Sequence, residues 1–446
     1  MSSTTDVDKF LGQQPLRWLH VFIVLMLAAA ILIDGYDIFM VGLILPVLAH
    51  GLHVKPADLT QVFVLQQLAL LIGTLVSGPL LDRFGRRRVM LIAMPVFAIL
   101  TMATSQVRTV FELDVMRFAA ALFFSSLIPA VITLAAEFAP SRYRAAAVSV
   151  VFCGYAGGNL IGASVQAWIL PFGWQAAFWV GGLLPLLAAI VLWIWMPESA
   201  QYRALRNPAD ASIGKTLQRF DPSVVFEADH RFETKRANQN GTRVSPLGLL
   251  RNGRMVATLM LWVAYLATGI FSYMNNSWTT TLLHTTRSMP MQHIAGLMAM
   301  SSIAGIVGTA TSGFVMDRFG AARVVPTYLL AAAGAVAVIA TMDVYSVWAG
   351  LAFAALGFLY NAGWGTLNAL CSSISPPELR ATGVAWAQGA GKIGGMIGPA
   401  IGGALVGAGW DFSPVLLVAA GFELASGLAV VVLLVRRRSA PVTARA

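Results

Sequence analysis

Residues 78–88 read "GPLLDRFGRRR", a short charged turn between two apolar runs, 61–81 and 89–107. Each run is close to the roughly 20 residues that a helix needs to cross a bilayer. A turn with one acid, four basic residues and two glycines between such runs reads as a connection at a membrane surface. The same turn recurs as "GFVMDRFGAAR" at 313–323 and aligns without gaps. Gly78/Gly313, Asp82/Asp317, Arg83/Arg318, Gly85/Gly320 and Arg88/Arg323 all stand 235 residues apart. A second set, Arg144/Arg380, Gly158/Gly394 and Gly162/Gly398, is offset by 236. Two such matches mark an internal repeat, and parallel six-helix repeats about an axis along the membrane normal are a secondary-transporter architecture.

The rest of the chain agrees. Of 446 residues, 57% are hydrophobic and only 11% charged, with a mean hydropathy of +0.73. The predicted fold class is an all-α polytopic membrane protein with twelve transmembrane helices in two six-helix bundles. The spans fall near 21–48, 61–81, 89–107, 113–138, 145–169 and 175–196, then 255–280, 294–316, 324–342, 346–371, 381–405 and 415–435. This divides the chain into an N-terminal segment (1–20), a first bundle (21–196), a polar linker (197–254), a second bundle (255–435) and a tail (436–446). The polar N-terminus lacks a small-residue cleavage site after the first apolar run, so that run is read as a retained helix.

A net charge of +10 would suggest nucleic acid in a soluble chain, but its placement argues for topology. Of the 30 Lys and Arg, three (Lys55, Arg108, Arg287) fall on one side of the predicted membrane and two (Arg117, Lys392) at membrane depth. The other 25 share the opposite side, clustered at 82–88, 141–144, 197–254 and 436–438. The positive-inside rule makes that side cytoplasmic, with both termini, in a bacterial-type inner membrane. Cys153 and Cys371 lie on different apolar segments and read as packing residues.

The motif "G-x-x-x-D-R-x-G-R-R", its copy in the second half, "PES" at 197–199 and the Glu137…Arg144 spacing resemble the major facilitator superfamily over essentially the whole chain. Within it, "DGYD" at 34–37, "RATGVAWAQGAGKIGGMIGP" at 380–399 and "SW" at 277–278 resemble the aromatic acid:proton symporters. That resemblance implies uptake of benzoate-like and hydroxybenzoate-like carboxylates. It also implies a pore lined by the first, fifth, seventh, tenth and eleventh helices.

Positions copied in both halves are expected to build the frame. Gly78, Asp82, Arg83, Gly85 and Arg86, with Asp317 and Arg318, are read as turn and pairing residues that also serve as a latch opening and closing with the cycle. Glu137 is assigned to the frame around Arg144. Gly154, Gly158 and Gly162, and likewise Gly394, Gly398 and Gly402, recur every four residues and predict close backbone packing.

The charges without a copy are the functional candidates. The positions 236 residues after Asp34 and Asp37 are Ile270 and Tyr273, and the one 236 before Lys392 is Ala156. Asp34 and Asp37 share one helix face, and each ionised carboxylate costs roughly 2.5–3.5 kcal/mol at the bilayer centre. A carboxyl that takes a proton on one side and gives it up on the other bears that cost only in part of a cycle. Both are therefore proton-coupling candidates, with a structural pair to Arg117 as the alternative. Lys392 is a candidate for a substrate carboxylate or for a permanent ion pair. Arginine commonly stands at this position in the symporters, and lysine lacks its bidentate fork.

Arg117 is a substrate-binding or charge-relay candidate, or else a partner of Asp114. Family members follow that arginine with a glycine-rich run. Here Phe123 and Phe124 stand instead and are expected to narrow the cavity. Tyr36, Trp278, Tyr360, Trp364 and Trp386 are candidate aromatic lining, and Asn159, Asn275, Asn276, Asn361 and Gln388 are candidate partners for a ring hydroxyl.

"SIGKT" at 212–216 ends like a phosphate loop, but Ala209 stands where its first glycine belongs. No metal cluster, cofactor motif or nucleophile–base pair is visible, so no enzyme is expected. The leading reading is a monomeric secondary transporter in contact with lipid and without a nucleic-acid partner. It would take up a small aromatic monocarboxylate with protons by alternating access. A symporter of an aliphatic carboxylate such as muconate, an exporter of organic anions and a ligand-sensing transceptor remain as alternatives.

Overall fold

The computed structural model describes residues 4–224, 226, 230–234, 255–374 and 380–439. Helices α1 (Trp18–Gly51), α2 (Thr60–Phe84), α3 (Arg86–Thr104), α4 (Val110–Phe138), α5 (Arg144–Ile169) and α6 (Trp174–Trp195) build the first bundle. Helices α7 (Met255–Thr285), α8 (Met291–Phe319), α9 (Ala321–Thr341), α10 (Ala349–Ile374), α11 (Arg380–Gly407) and α12 (Phe412–Ser439) build the second. Among the described residues, ten helices are long and apolar enough to cross a membrane. α10 and α11 are as long but are diluted by glycines and by polar residues such as Asn361, Asn368, Gln388 and Lys392.

The repeated turn has a local cause. Gly85 and Gly320 close α2 and α8 at φ of +94° and +82° and open the helices that follow. Side chains rarely take that backbone region, whereas glycine does so without strain. α4 is interrupted at Ser125–Ser126. There the Ser125 and Ser126 hydroxyls donate to the carbonyls of Leu122 (2.7 Å) and Phe123 (2.9 Å), a habit of serine that bends helices.

Lipid gives helices no hydrophobic reason to associate, so close backbone contact has to hold them. The glycine ridges supply it twice. A Cβ on Gly154 or Gly158 of α5 would overlap the α1 backbone at Ala28, Leu32 and Tyr36. One on Gly394 or Gly398 of α11 would overlap the α7 backbone at Leu266 and Ile270. The two repeats thus use the same α1–α5 and α7–α11 seams.

The apolar cores show where the bundles join. One cluster merges both: Leu45, Leu59 and Phe63 of the first pack with Phe271, Trp278 and Leu282 of the second. It lies at the end away from the basic turns. Gly42 there abuts the Asn276 carbonyl, and Gly403 abuts the Thr60 side chain. At the basic end the cores are separate, one in the first bundle and two in the second. Among the described residues the bundles therefore share one core at the closed end and keep separate cores at the other, the parted end.

Around the basic end of the first bundle lies a small layer from the N-terminus and the linker. Helices Val7–Gln13, Ala200–Arg206 and Ala211–Gln218 join a parallel strand pair, Thr4–Asp6 with Arg231–Glu233. Asp8 accepts from Gln201 Nε2 (2.6 Å) and Thr234 Oγ1 (2.7 Å), and Phe220 and Phe232 are buried in the bundle's own core. The stretch of linker at 235–254 lies outside the described residues.

Candidate functional site

The two aspartates of "DGYD" have different surroundings. Asp37 receives both terminal nitrogens of Arg117, at 2.9 and 2.6 Å, and both residues are buried. Phe178 lies 5.9 Å from the guanidinium, closing its face with an aromatic ring. Arg117 therefore binds Asp37 across the α1–α4 contact and not Asp114.

Asp34 is wholly buried, and neither carboxylate oxygen has a hydrogen-bond partner. The charges acting on it are Asp37, one turn along, and Lys392 of α11 in the other bundle. Lys392 makes no ion pair with it and donates instead to Thr74 Oγ1 of α2 at 2.5 Å. Beside this pair stand Tyr155 of α5 and Tyr273 of α7, whose hydroxyls interact with each other, while Tyr273 also engages Gln67 of α2. Both phenols feel Asp34 electrostatically. Tyr273 and Gln67 also line a narrow cleft with Phe39, Phe63, Gln66 and Asn276. The site thus draws on both bundles and combines one carboxyl without a partner, one amine, two phenols and an amide.

The aromatic candidates divide. Tyr360 of α10 donates to Ser272 Oγ of α7 at 2.6 Å, in electrostatic contact with Tyr273. Tyr36 turns into the first bundle and donates to the Ala177 carbonyl of α6 at 3.0 Å. Trp278 is buried at the closed end, donating to the Pro399 carbonyl (3.0 Å) with Phe63 against it. Trp364 packs edge-on to Tyr265, and Trp386 stacks on Trp262. Asn361 donates to the Gly357 carbonyl where α10 meets Gly305 of α8, Asn275 accepts from Thr279, Asn159 of α5 is half-buried, and Gln388 is exposed.

Neither Phe123 nor Phe124 is among the residues that line this cleft. On the unbroken helical segment before Ser125, Phe124 packs into the first bundle's core against Phe97, and Phe123 is 40% exposed. The close approach between α2 and α4 is made by Gly73 of α2, on which a Cβ would overlap Ser125.

The motif residues build a clamp. Arg86 is buried between Asp82 (3.2 Å) and Glu137 (3.9 Å), with the Tyr202 ring beside it. Glu137 accepts from the Ser199 hydroxyl, and Arg87 donates to the carbonyls of Met196 (2.5 Å) and Trp193 (2.6 Å). Glu137 is thus held by Arg86 and Ser199, while Arg144 is exposed. Gly78, Arg83, Asp317 and Arg318 are exposed at the parted end. The second copy has no buried arginine to match Arg86, because Ala321 stands where Arg86 does.

Sequence reasoning missed Tyr155, Tyr273, Gln67 and Thr74, which are ordinary residues until folding brings them to Lys392 and Asp34. It also missed Glu423, although a signal was present: its repeat counterpart, 236 residues earlier, is Leu187.

Comparison with known proteins places this geometry. Residues 27–396 match the Major Facilitator Superfamily. The chain is 33% identical to the 4-hydroxybenzoate transporter of Pseudomonas putida, covering 93% of both chains. It is 30% identical to the gallate transporter of the same organism, over 90% of this chain and 89% of that one. Among solved structures it resembles the nucleoside transporter NupG, with a TM-score of 0.67, 15% identity and coverage of 94% of this chain and 99% of that one. The same two-bundle fold, the shared repeat and these relatives together establish the chain as a transporter, not an enzyme, belonging to the Major Facilitator Superfamily.

Proposed function

We propose that this transporter carries a small aromatic carboxylate inward with protons, by alternating access, and that Asp34 takes a proton while Asp37 holds Arg117. The observation that carries the reading is a buried carboxyl without a hydrogen bond sharing one electrostatic site with Lys392. The site has one cation to neutralise. Ionised Asp34 can do so, or Asp34 can take a proton and leave Lys392 to a substrate carboxylate. Loading proton and substrate together, or neither, keeps the charge balanced in a low-dielectric interior, where an unbalanced charge is costly. Partial loading is penalised, and that penalty is the coupling.

The ring is read by the phenols of Tyr155 and Tyr273, with Tyr360 and Gln67 able to bond a ring hydroxyl. The relatives named for 4-hydroxybenzoate and gallate support an aromatic acid. A relative named for cis,cis-muconate, 24% identical, keeps an aliphatic carboxylate as the second reading, since Lys392 recognises either. The basic turns are assigned to the cytoplasm by the positive-inside rule, together with both termini. The parted end then faces inward, and the merged core closes the outer side of an inner membrane. The protein is taken to work as a monomer, because both halves of the site come from one chain.

The test is uptake of labelled 4-hydroxybenzoate and benzoate into proteoliposomes, with and without an inward proton gradient. Gradient-driven accumulation in the wild type that disappears in Asp34→Asn is the expected result. Accumulation unchanged in that variant, or none in the wild type under any gradient, overturns the reading.

A further inference from the structure

Glu423 lies mid-way along α12, which packs on α7 and α9 within the second bundle. It is wholly buried, and both carboxylate oxygens lack a hydrogen bond. Thr268 of α7 bears on it but donates its own proton to Ser426 Oγ at 2.7 Å. No basic side chain among the described residues pairs with it or acts on it. The titratable group that does interact with it is Tyr360 of α10.

A carboxylate in this setting has no counter-ion among the described residues, and the one hydroxyl that reaches it, that of Thr268, is shared with Ser426. Ionised groups inside a membrane protein persist only where something compensates them. The shared frame gives no reason for it, since Leu187 serves at the equivalent place in the first bundle. What it does have is electrostatic contact with a phenol nearer the interface. Tyr360 donates to Ser272 and interacts with Tyr273, which interacts with Tyr155 and Asp34. Glu423, Tyr360, Tyr273 and Asp34 are thus linked in turn by electrostatic interaction, from α12 to α1.

We propose that Glu423 is a second proton-binding site, loaded and emptied with Asp34 through the Tyr360–Tyr273 hydroxyls. The inference rests on the symport reading above and adds its stoichiometry. Two protons with one monocarboxylate move one net positive charge inward, whereas one proton would move none. Nothing is oxidised or reduced. Each carboxylate gains a proton on the outer side and loses it on the inner.

Net charge makes the proposal measurable. An inside-negative potential of about 60 mV raises steady-state accumulation about tenfold per net charge carried. Proteoliposomes holding the full chain would receive a potassium diffusion potential at a fixed proton gradient, with labelled 4-hydroxybenzoate outside. Wild type should gain about tenfold, while Glu423→Gln should keep gradient-driven uptake and lose the response to potential. An equal response in the variant, or wild-type uptake that does not respond to the potential, overturns the second site.

A second measurement does not need transport. Infrared difference spectra between acidic and alkaline buffer should show a protonated-carboxyl band in wild type that is missing from Glu423→Gln. Identical spectra overturn the proposal even if 4-hydroxybenzoate is not the cargo. Failure of the symport reading appears separately, as absence of any uptake beside a band that still titrates.

Discussion

The Asp37–Arg117 pair offers the sharpest test of how roles divide in "DGYD". Two hydrogen bonds at 2.9 and 2.6 Å join residues that are both buried. Removing one partner strands the other as an uncompensated charge, at a cost of about 3–5 kcal/mol. A unit of 150–250 residues, the size of one bundle, loses about 2–4 °C in Tm per kcal/mol, so each single variant should lose roughly 6–20 °C. Asp37→Asn and Arg117→Gln are the singles. The double variant leaves a neutral amide pair and should recover much of the loss, because neither charge is then stranded. Asp34→Asn is the internal control. It removes a carboxyl that has no partner, so its Tm should stay level or rise while transport falls. The assay is thermal unfolding of purified protein in one detergent, with wild type and the four variants run side by side. Additive losses in the double variant, or a larger loss from Asp34→Asn than from Asp37→Asn, would refute the reasoning.

Three further outcomes follow from the same structure. Lys392→Ala should raise KM for a carboxylate substrate at least about thirtyfold, the low end of a 2–5 kcal/mol loss for one partner of a buried charge pair. Lys392→Arg should recover part of that affinity, and uptake at graded concentrations decides. Gly158→Val should lower Tm or yield strongly, because its Cβ would meet the α1 backbone, whereas Gly78→Ala, with open space around it, should change Tm by less than about 2 °C. Arg86→Ala should lose clearly more stability than Arg318→Ala, by about 2–4 kcal/mol, since it removes a buried guanidinium from beside Asp82 and Glu137 while Arg318 is exposed. Equal Tm shifts for the two would refute the clamp.

The sequence carried the fold because membrane folds are written in one dimension. Hydrophobic length, basic asymmetry and a repeat at an offset of 235 residues are all properties of order along the chain. The glycine ridges were readable for the same reason, since spacing by four on a helix sets the face that can touch a neighbour. The repeat also singled out Asp34, Asp37 and Lys392 as candidates, because these charges have no copies.

What the sequence could not supply was which group faces which. Asp34 and Asp37 lie on one side of one helix, yet only Asp37 meets Arg117, a partner 80 residues away. A turn of about 60° between them was enough to leave the other carboxyl without a hydrogen bond. Phe124 of α4 went into the first bundle's core against Phe97, a contact between helices that spacing alone does not register. Tyr155, Tyr273 and Thr74 joined the site through contacts between helices distant in the chain. Periodicity determines which residues are inside, but only packing decides what each buried charge finds there.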